Sequence, residues 1–215
     1  MKGFYNSIRF KKETIRFFCE NTRLIIMSFF LLLGVLFGVI CFKNNWFSAG
    51  FNAADSFSGF YLSRSQMSKL SVFANSLSSN LIYLALCCFC SFHLFGKPLS
   101  FAIPFVKGLG LGCVCSAAYS ALGVGGIAFC ALIILPGGFI SSVGLIFACL
   151  SAGDFSGEIY SRIFYKSDAE SGERVSFREF LKKYSIKNIK YILVMILSSI
   201  TECAVTSLFL SAFSM

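Results

Sequence analysis

The sequence has few charged residues, and this scarcity excludes an ordinary soluble domain. Lys, Arg, Asp and Glu make up 13% of the 215 residues, and hydrophobic residues make up 56%, whereas a soluble domain carries about 25% charged residues. From Pro98 to Ala152 the one charged residue is Lys107. That stretch is long enough for two crossings of a bilayer, since each needs about 20 apolar residues. The composition therefore predicts an integral membrane protein.

The chain also lacks the motifs that catalyse reactions or hold cofactors. It has one histidine, His93, no HExxH or GxSxG motif and no phosphate-binding loop. Most of the ten cysteines lie inside apolar runs, where a thiol behaves as a small hydrophobe. The CxxC from Cys87 to Cys90 has no second cysteine pair to complete a zinc site. We therefore expect a protein that is not an enzyme and that binds no cofactor or metal.

The basic residues predict how the chain is oriented in the membrane. The net charge is +9, and Lys and Arg concentrate before the first apolar run and between Arg162 and Lys190. Cytoplasmic loops are enriched in Lys and Arg and lie next to anionic lipid. We therefore expect membrane lipid as a partner and no nucleic acid. The charge pattern places the N-terminus in the cytoplasm and the C-terminus outside.

The apolar runs predict an all-α, polytopic transmembrane helix bundle in a single membrane domain, residues 24–215. An external loop at 43–74 and a cytoplasmic loop at 153–187 follow from the same pattern. Residues 1–23 form a cytoplasmic basic amphipathic segment, which fits a short interfacial helix or a solvated tail equally well. A second interfacial helix is expected just before the last crossing. The five predicted crossings lie at about 24–42, 77–95, 99–122, 125–150 and 190–213.

Small residues and one proline indicate how the crossings are arranged. The first crossing contains a GxxxG motif at Gly34 and Gly38, and the third contains another at Gly108 and Gly112. Such motifs allow two helix backbones to approach closely. In the fourth crossing Pro136-Gly137-Gly138 predict a kink or a short break. The backbone groups freed there must face a neighbouring helix or a cavity.

Two ionisable residues remain at membrane depth, Lys107 and Glu202. Each alone costs about 2.5–3.5 kcal/mol by insertion scales. We predict that they approach each other or share a polar cavity, in the cytoplasmic-to-middle part of the bilayer. In the alternative arrangement Lys107 extends to the lipid headgroups, while Glu202 is protonated or bonded to Ser198, Ser199 or Thr201.

The layout and two motifs resemble the stage II sporulation protein M family. The motifs are Phe105-Val-Lys107-Gly108-Leu-Gly110-Leu-Gly112 and Ile134-Leu135-Pro136. The resemblance implies a non-catalytic scaffold in the cell membrane that anchors a peptidoglycan-remodelling complex during engulfment in endospore formation. It also implies wall-associated partners, the stage II sporulation proteins D and P.

Two functional hypotheses follow. The first is this scaffold, and the second is the membrane subunit of a transporter or permease with a polar site around Lys107 and Glu202. A polar cavity that reaches both residues favours transport. A tightly packed bundle with an exposed apolar groove on the 43–74 side favours the scaffold.

Overall fold

The computed structural model of the protein describes residues 21–44, 46, 68–93, 95–164 and 177–209, and these form an all-α bundle. Most of the predicted segment 1–23, most of loop 43–74 and the end of the fifth crossing lie outside the described residues. The helices are α1 (Thr22–Lys43), α2 (Lys69–Ser91), α3 (Gly96–Leu122), α4 (Val124–Phe129, a π-helical turn at Cys130–Ile134, then Leu135–Phe164) and α5 (Phe177–Phe209).

The described residues contain five helices that are long and apolar enough to cross a membrane. This confirms the predicted all-α fold with five crossings and makes the chain a multi-pass membrane protein. The helices alternate in direction. We call one end of the bundle the Arg23 end, where α1 and α5 begin and α2 is linked to α3. The other is the Lys69 end, where α2 begins and α3 is linked to α4.

Helix α4 is the central element of the bundle. Half of its most apolar window is buried, compared with 22–33% for the corresponding windows of the other four helices. Leu145, Cys149 and Ala152 of α4 join a buried cluster with Leu84 of α2 and Met195 of α5. Large apolar side chains cover the outside of the other helices, as a lipid-facing surface requires.

Helices α1 and α3 are in contact backbone to backbone. A Cβ atom built on any glycine of either GxxxG motif would lie far inside van der Waals distance of a carbonyl oxygen of the other helix. Gly34 and Gly38 face the carbonyls of Phe105 and Leu109, and Gly108 and Gly112 face those of Leu31 and Val35. Lipid is as apolar as leucine, so helices in a membrane associate through such close van der Waals contact.

The link between α3 and α4 is a single glycine, Gly123. Its φ of 57° and ψ of −129° lie in a region that only glycine adopts without strain. Its N–H donates to the Tyr119 carbonyl at 2.8 Å. Beyond the turn, Gly126 lies against the Ala118 carbonyl with no room for a side chain. The turn therefore sets α3 and α4 side by side.

The link between α2 and α3 falls earlier than the sequence predicted. Helix α2 ends at Ser91 and α3 begins at Gly96, whereas we predicted crossings at 77–95 and 99–122. Gly96 lies against the Cys90 carbonyl, and the Gly96 N–H donates to the backbone carbonyl of His93 at 2.9 Å. This close contact requires the chain to reverse between these residues. Pro98 is tolerated because it lies in the first turn of α3, where no intrahelical donor is needed.

The region predicted as the cytoplasmic loop 153–187 is helical over much of its length. Helix α4 continues to Phe164, and α5 begins at Phe177 and runs unbroken to Phe209. Within the described residues, the part of the chain where we predicted an interfacial helix before the last crossing is the first part of α5. The Phe155 ring lies 4.3 Å from the Tyr184 ring and 5.6 Å from the Phe92 ring, centroid to centroid. These aromatic contacts stabilise the parts of α4 and α5 that extend past the link between α2 and α3.

We predict that Gly108→Ala destabilises the protein by about 1–3 kcal/mol, the usual cost of overpacking a close contact. The new methyl group would meet the Leu31 carbonyl, and α1 and α3 would have to separate. Gly110→Ala is the matched control, because a Cβ there meets only the Tyr83 hydroxyl at 3.8 Å. Thermal unfolding in detergent, followed by circular dichroism, measures both variants. Equal melting temperatures would contradict the prediction.

Candidate functional site

A cavity of about 260 Å³ lies between α2, α3, α4 and α5. Its lining includes the apolar side chains Leu111, Val114 and Ile134 together with glycines and a set of polar side chains, which are uncommon between membrane helices. Helix α2 provides Asn75, Ser76, Ser79, Asn80 and Tyr83, α3 provides Lys107 and Gly110, α4 provides Gly138 and Ser141, and α5 provides Glu202. The structure thus brings Lys107 and Glu202 to one cavity.

Lys107 is directed to this cavity by the contact between α1 and α3. Successive residues of a helix are rotated by about 100°, so when Gly108 faces α1 the preceding residue faces α2. Its Nζ donates to Asn80 Oδ1 at 2.9 Å and lies 4.8 Å from the centre of the Tyr83 ring. The amide oxygen and the ring face both stabilise a cation.

Glu202 occupies the space that a glycine leaves free on α4. Its Cβ lies 2.9 Å from the position that a Cβ on Gly137 would take. Ser76 Oγ of α2 donates to Glu202 Oε2 at 2.5 Å, a short bond of the kind that hydroxyls make to carboxylates. The glycine predicted to loosen α4 therefore makes room for the carboxylate on α5.

Buried polar side chains link the two ionisable groups across three helices. Asn80 Nδ2 lies 3.4 Å from Ser199 Oγ, and Ser76 Oγ lies 3.4 Å from the same atom. Asn80, Ser76 and Ser199 are 3%, 4% and 0% exposed. A continuous polar chain thus runs from Lys107 to Glu202. Helices α2, α3 and α5 are held together by it, since separating them would leave these groups unsatisfied in an apolar medium.

Sequence reasoning did not single out Ser76 and Asn80, although a signal was present. They lie four residues apart and so share one face of α2. Helix α2 has the lowest mean hydropathy of the five candidate spans, 1.5. A row of buried polar residues within an apolar helix marks contact with other polar groups, and this could have suggested partners for Lys107.

Near Pro136 the hydrogen-bonding pattern of α4 changes, but the helix is not interrupted. The π-helical turn Cys130–Ile134 lies directly before it, and the Leu135 N–H donates to the Cys130 carbonyl. Proline has no N–H, and a π turn absorbs the resulting mismatch. Ser198 Oγ donates to the Gly137 carbonyl at 2.8 Å. The structure thus has a π turn packed on α5 where we predicted a kink or break.

The two ionisable residues lie at different positions along the bundle. We expected Lys107 and Glu202 in the cytoplasmic-to-middle part of the bilayer. Lys107 is near the middle of α3, but Glu202 is close to the Lys69 end, where Cys203 Sγ lies 3.3 Å from the Lys69 carbonyl oxygen. Helix α5 begins at Phe177, well before the predicted crossing, so Glu202 lies near the far end of a long helix. The depth of the two residues in the bilayer stays a prediction.

His93 and the cysteines Cys87 and Cys149 make packing and hydrogen-bonding contacts within the bundle. The His93 ring lies 4.5 Å from the Phe89 ring, and the His93 carbonyl accepts from Ser156 Oγ at 2.7 Å. Cys87 and Cys149 are buried with their sulfurs 3.2 Å apart. Within the described part of the chain, no three His, Cys, Asp or Glu side chains are grouped so that they could hold a metal ion.

An apolar groove lies on the outside of the bundle between α1 and α3. It is lined by Ile26, Phe30, Phe101 and Phe105, among others. The two phenylalanine rings Phe30 and Phe101 are 6.0 Å apart, centroid to centroid. This groove is nearer the Arg23 end, so it does not lie on the 43–74 side of the protein.

Comparison with known families shows which family the chain belongs to. The family model of stage II sporulation protein M matches residues 25–173, which cover more than half of the chain. The chain therefore belongs to this family, and the resemblance seen in the sequence is confirmed. No curated protein and no solved structure shows significant similarity to it.

We predict that Asn80→Leu destabilises the protein by about 1–2 kcal/mol, because Lys107 loses its buried acceptor. Asn75→Leu is the control, since Asn75 lines the same cavity but is exposed. The double variant Lys107→Met/Asn80→Leu is expected to recover part of the loss, because both partners then become apolar. Melting temperatures in detergent measure the series. A double variant no more stable than Asn80→Leu would contradict this reading.

Proposed function

We propose that this member of the stage II sporulation protein M family is a non-catalytic scaffold in the cell membrane. In this role it anchors a peptidoglycan-remodelling complex that acts during engulfment in endospore formation. The stage II sporulation proteins D and P are the proposed partners. The observation that carries the proposal is the family match over residues 25–173, which spans α1 to α4.

The way the bundle holds α1 and α2 supports an anchoring role. These helices flank the connecting segment 44–68 at the Lys69 end. Helix α1 is fixed to α3 through the four glycines, and α2 is fixed to α5 through Ser76 and Asn80. A force applied to the segment by a bound partner is therefore transmitted to the whole bundle. This is what an anchor requires.

The distribution of basic residues supports an orientation in which segment 44–68 faces outward. The Lys69 end has Lys43 and Lys69 among the described residues. The Arg23 end is richer in basic residues, with Arg23, Lys97, Arg178, Lys182, Lys183, Lys187 and Lys190. By the positive-inside rule the Arg23 end is cytoplasmic. Segment 44–68 then lies on the side where peptidoglycan is cut.

Reporter fusions to the full chain test this orientation. We expect alkaline phosphatase fused after Met215 to be active, because it folds only outside the cytoplasm, and green fluorescent protein fused there to be dark. Green fluorescent protein fused before Met1 is expected to fluoresce. The reverse pattern at the two termini would show that the bundle is inverted and that the positive charges do not decide its orientation.

Site-specific photo-crosslinking in native membranes tests the partners. A benzoylphenylalanine at Trp46, which is 66% exposed near the Lys69 end, is expected to capture peptidoglycan-cutting enzymes. The same probe at Phe95, 81% exposed at the Arg23 end, is the matched control and is expected not to capture them. The scaffold proposal fails if Trp46 captures no such enzyme while Phe95 captures an ATPase.

The second candidate is the membrane subunit of a transporter or permease. The polar cavity around Lys107 and Glu202 favours it, because ionisable groups inside membrane bundles commonly mark substrate paths. The helical irregularity of α4 next to the cavity is a further feature of such paths. An ATPase crosslinked at Phe95 would support this candidate over the scaffold.

A further inference from the structure

We propose that the cavity between α2, α3, α4 and α5 binds a small neutral amphiphile, a molecule with one alcohol or carbonyl oxygen and a short apolar body. The inference goes beyond the scaffold role. It gives the transport candidate a ligand class, and in that respect it rests on the cavity of that candidate. Binding is measured directly, and the ligand is not assumed to cross the membrane.

One wall of the cavity is a strip on α3 that is apolar beyond its first residue. Four residues of α3 line the cavity: Lys107, Gly110, Leu111 and Val114. Their spacing of i, i+3, i+4 and i+7 places them on one face of the helix. The strip runs from Lys107 toward the Lys69 end over about 10 Å, the length of two helical turns. Ile134 of α4 adds to the apolar surface, so the apolar body of a ligand has side chains to contact.

Lys107 has a donor for the oxygen of such a ligand. Its ammonium carries three N–H donors. Asn80 Oδ1 accepts one at 2.9 Å, and the centre of the Tyr83 ring lies 4.8 Å from Nζ. Among the described residues, at least one donor is therefore left without an acceptor, which costs free energy away from water. An alcohol or carbonyl oxygen supplies the acceptor at the end of the apolar strip.

The charges that line the cavity favour a ligand without net charge. Lys107 and Glu202 both line the space and carry opposite charges. An anion would be repelled by Glu202 and a cation by Lys107, and such repulsion is strong in a medium of low dielectric constant. A net charge inside the membrane is also costly. A neutral oxygen accepts a hydrogen bond from Lys107 without either cost.

The volume of the cavity, about 260 Å³, restricts the size of the ligand. A cavity of about 150 Å³ holds one benzene molecule, and sites for drug-sized ligands measure about 300–1,000 Å³. This cavity therefore holds a short chain or a pair of fused rings. A phospholipid with two long acyl chains is too large for it.

Asn75 and Ser79 show where the ligand enters. Both line the cavity and both are exposed at the surface of the bundle, whereas Ser76 and Asn80 of the same helix are buried. The cavity therefore opens along the side of α2 that carries Asn75 and Ser79. Both residues lie within the candidate membrane span Lys69–Ser91, so an amphiphile dissolved in the bilayer can reach the opening.

Photoaffinity labelling of the full chain in liposomes tests the proposal. The probe is octan-1-ol with a diazirine on its chain, and peptide mass spectrometry maps the labelled residues. We expect saturable labelling of Tyr83, Val114 or Ile134, which excess octan-1-ol displaces. Labelling of Leu36, which is 62% exposed on α1, is expected not to saturate, because it reports octanol dissolved in the lipid.

Probes with the same chain and diazirine test the preference for a neutral oxygen. They are octanesulfonate, octylammonium and octane, and the labelling of the cavity is divided by that of Leu36 to correct for partition into lipid. We expect each of the three to label the cavity at least tenfold less than octanol does. Lys107→Met is expected to weaken the saturable octanol labelling about tenfold, the effect of one hydrogen bond to a charged group.

Val114→Trp and Val106→Trp form a matched pair that keeps the test decisive if Lys107→Met fails to fold. Both valines are on α3, but only Val114 lines the cavity, whereas Val106 is 50% exposed outside it. We expect Val114→Trp to fill the cavity and abolish the saturable labelling of Tyr83 and Ile134. Val106→Trp is expected to retain this labelling, with a similar melting temperature.

Four results would overturn the site: no saturable labelling of the cavity in the folded wild type, equal labelling by either charged probe, equal labelling by octane, or equal labelling of the two valine variants. None of these changes the crosslinking results at Trp46 and Phe95. Failure of the ligand proposal is therefore distinguishable from failure of the scaffold or the transport function.

Discussion

The contact between the backbones of α1 and α3 is the constraint on which the other features depend. Four glycines place the carbonyl oxygens of each helix against the backbone of the other. This fixes both the distance between the helices and their rotation. With Gly108 and Gly112 turned to α1, the neighbouring face of α3, which carries Lys107, Gly110 and Leu111, is turned to the cavity. A helix that rotated freely in lipid would not hold a lysine against Asn80.

The polar chain from Lys107 to Glu202 is the second element of the architecture. Its members come from α2, α3 and α5, so it joins α2 and α5, which the glycine contact does not reach, to α3. Helix α4 contributes in two ways through Gly137. This residue has no side chain, which leaves the space for Glu202. The Gly137 carbonyl also accepts a hydrogen bond from Ser198. Apolar contact therefore joins α1 to α3, and buried hydrogen bonding joins α3 to α2 and α5.

The two candidate functions use different parts of one bundle. Anchoring depends on the segment between α1 and α2 and on the rigidity of the helices that flank it. Transport depends on the cavity between α2, α3, α4 and α5, which lies in the half of the bundle nearer the Lys69 end. Helix α2 borders both the segment and the cavity.

The sequence by itself determined the class of protein, the five membrane crossings, the family and the residues of the closest helix contact. These features depend on local composition and spacing: apolar length, the GxxxG interval and the KG-x-x-x-G run. It also identified Lys107 and Glu202, because an ionisable residue stands out in an apolar segment. Only the tertiary structure decided the partners of these residues, the position of the cavity along the bundle and the π turn before Pro136. These depend on the rotation of each helix and on its shift along its neighbours, which are set by contacts between residues far apart in the chain.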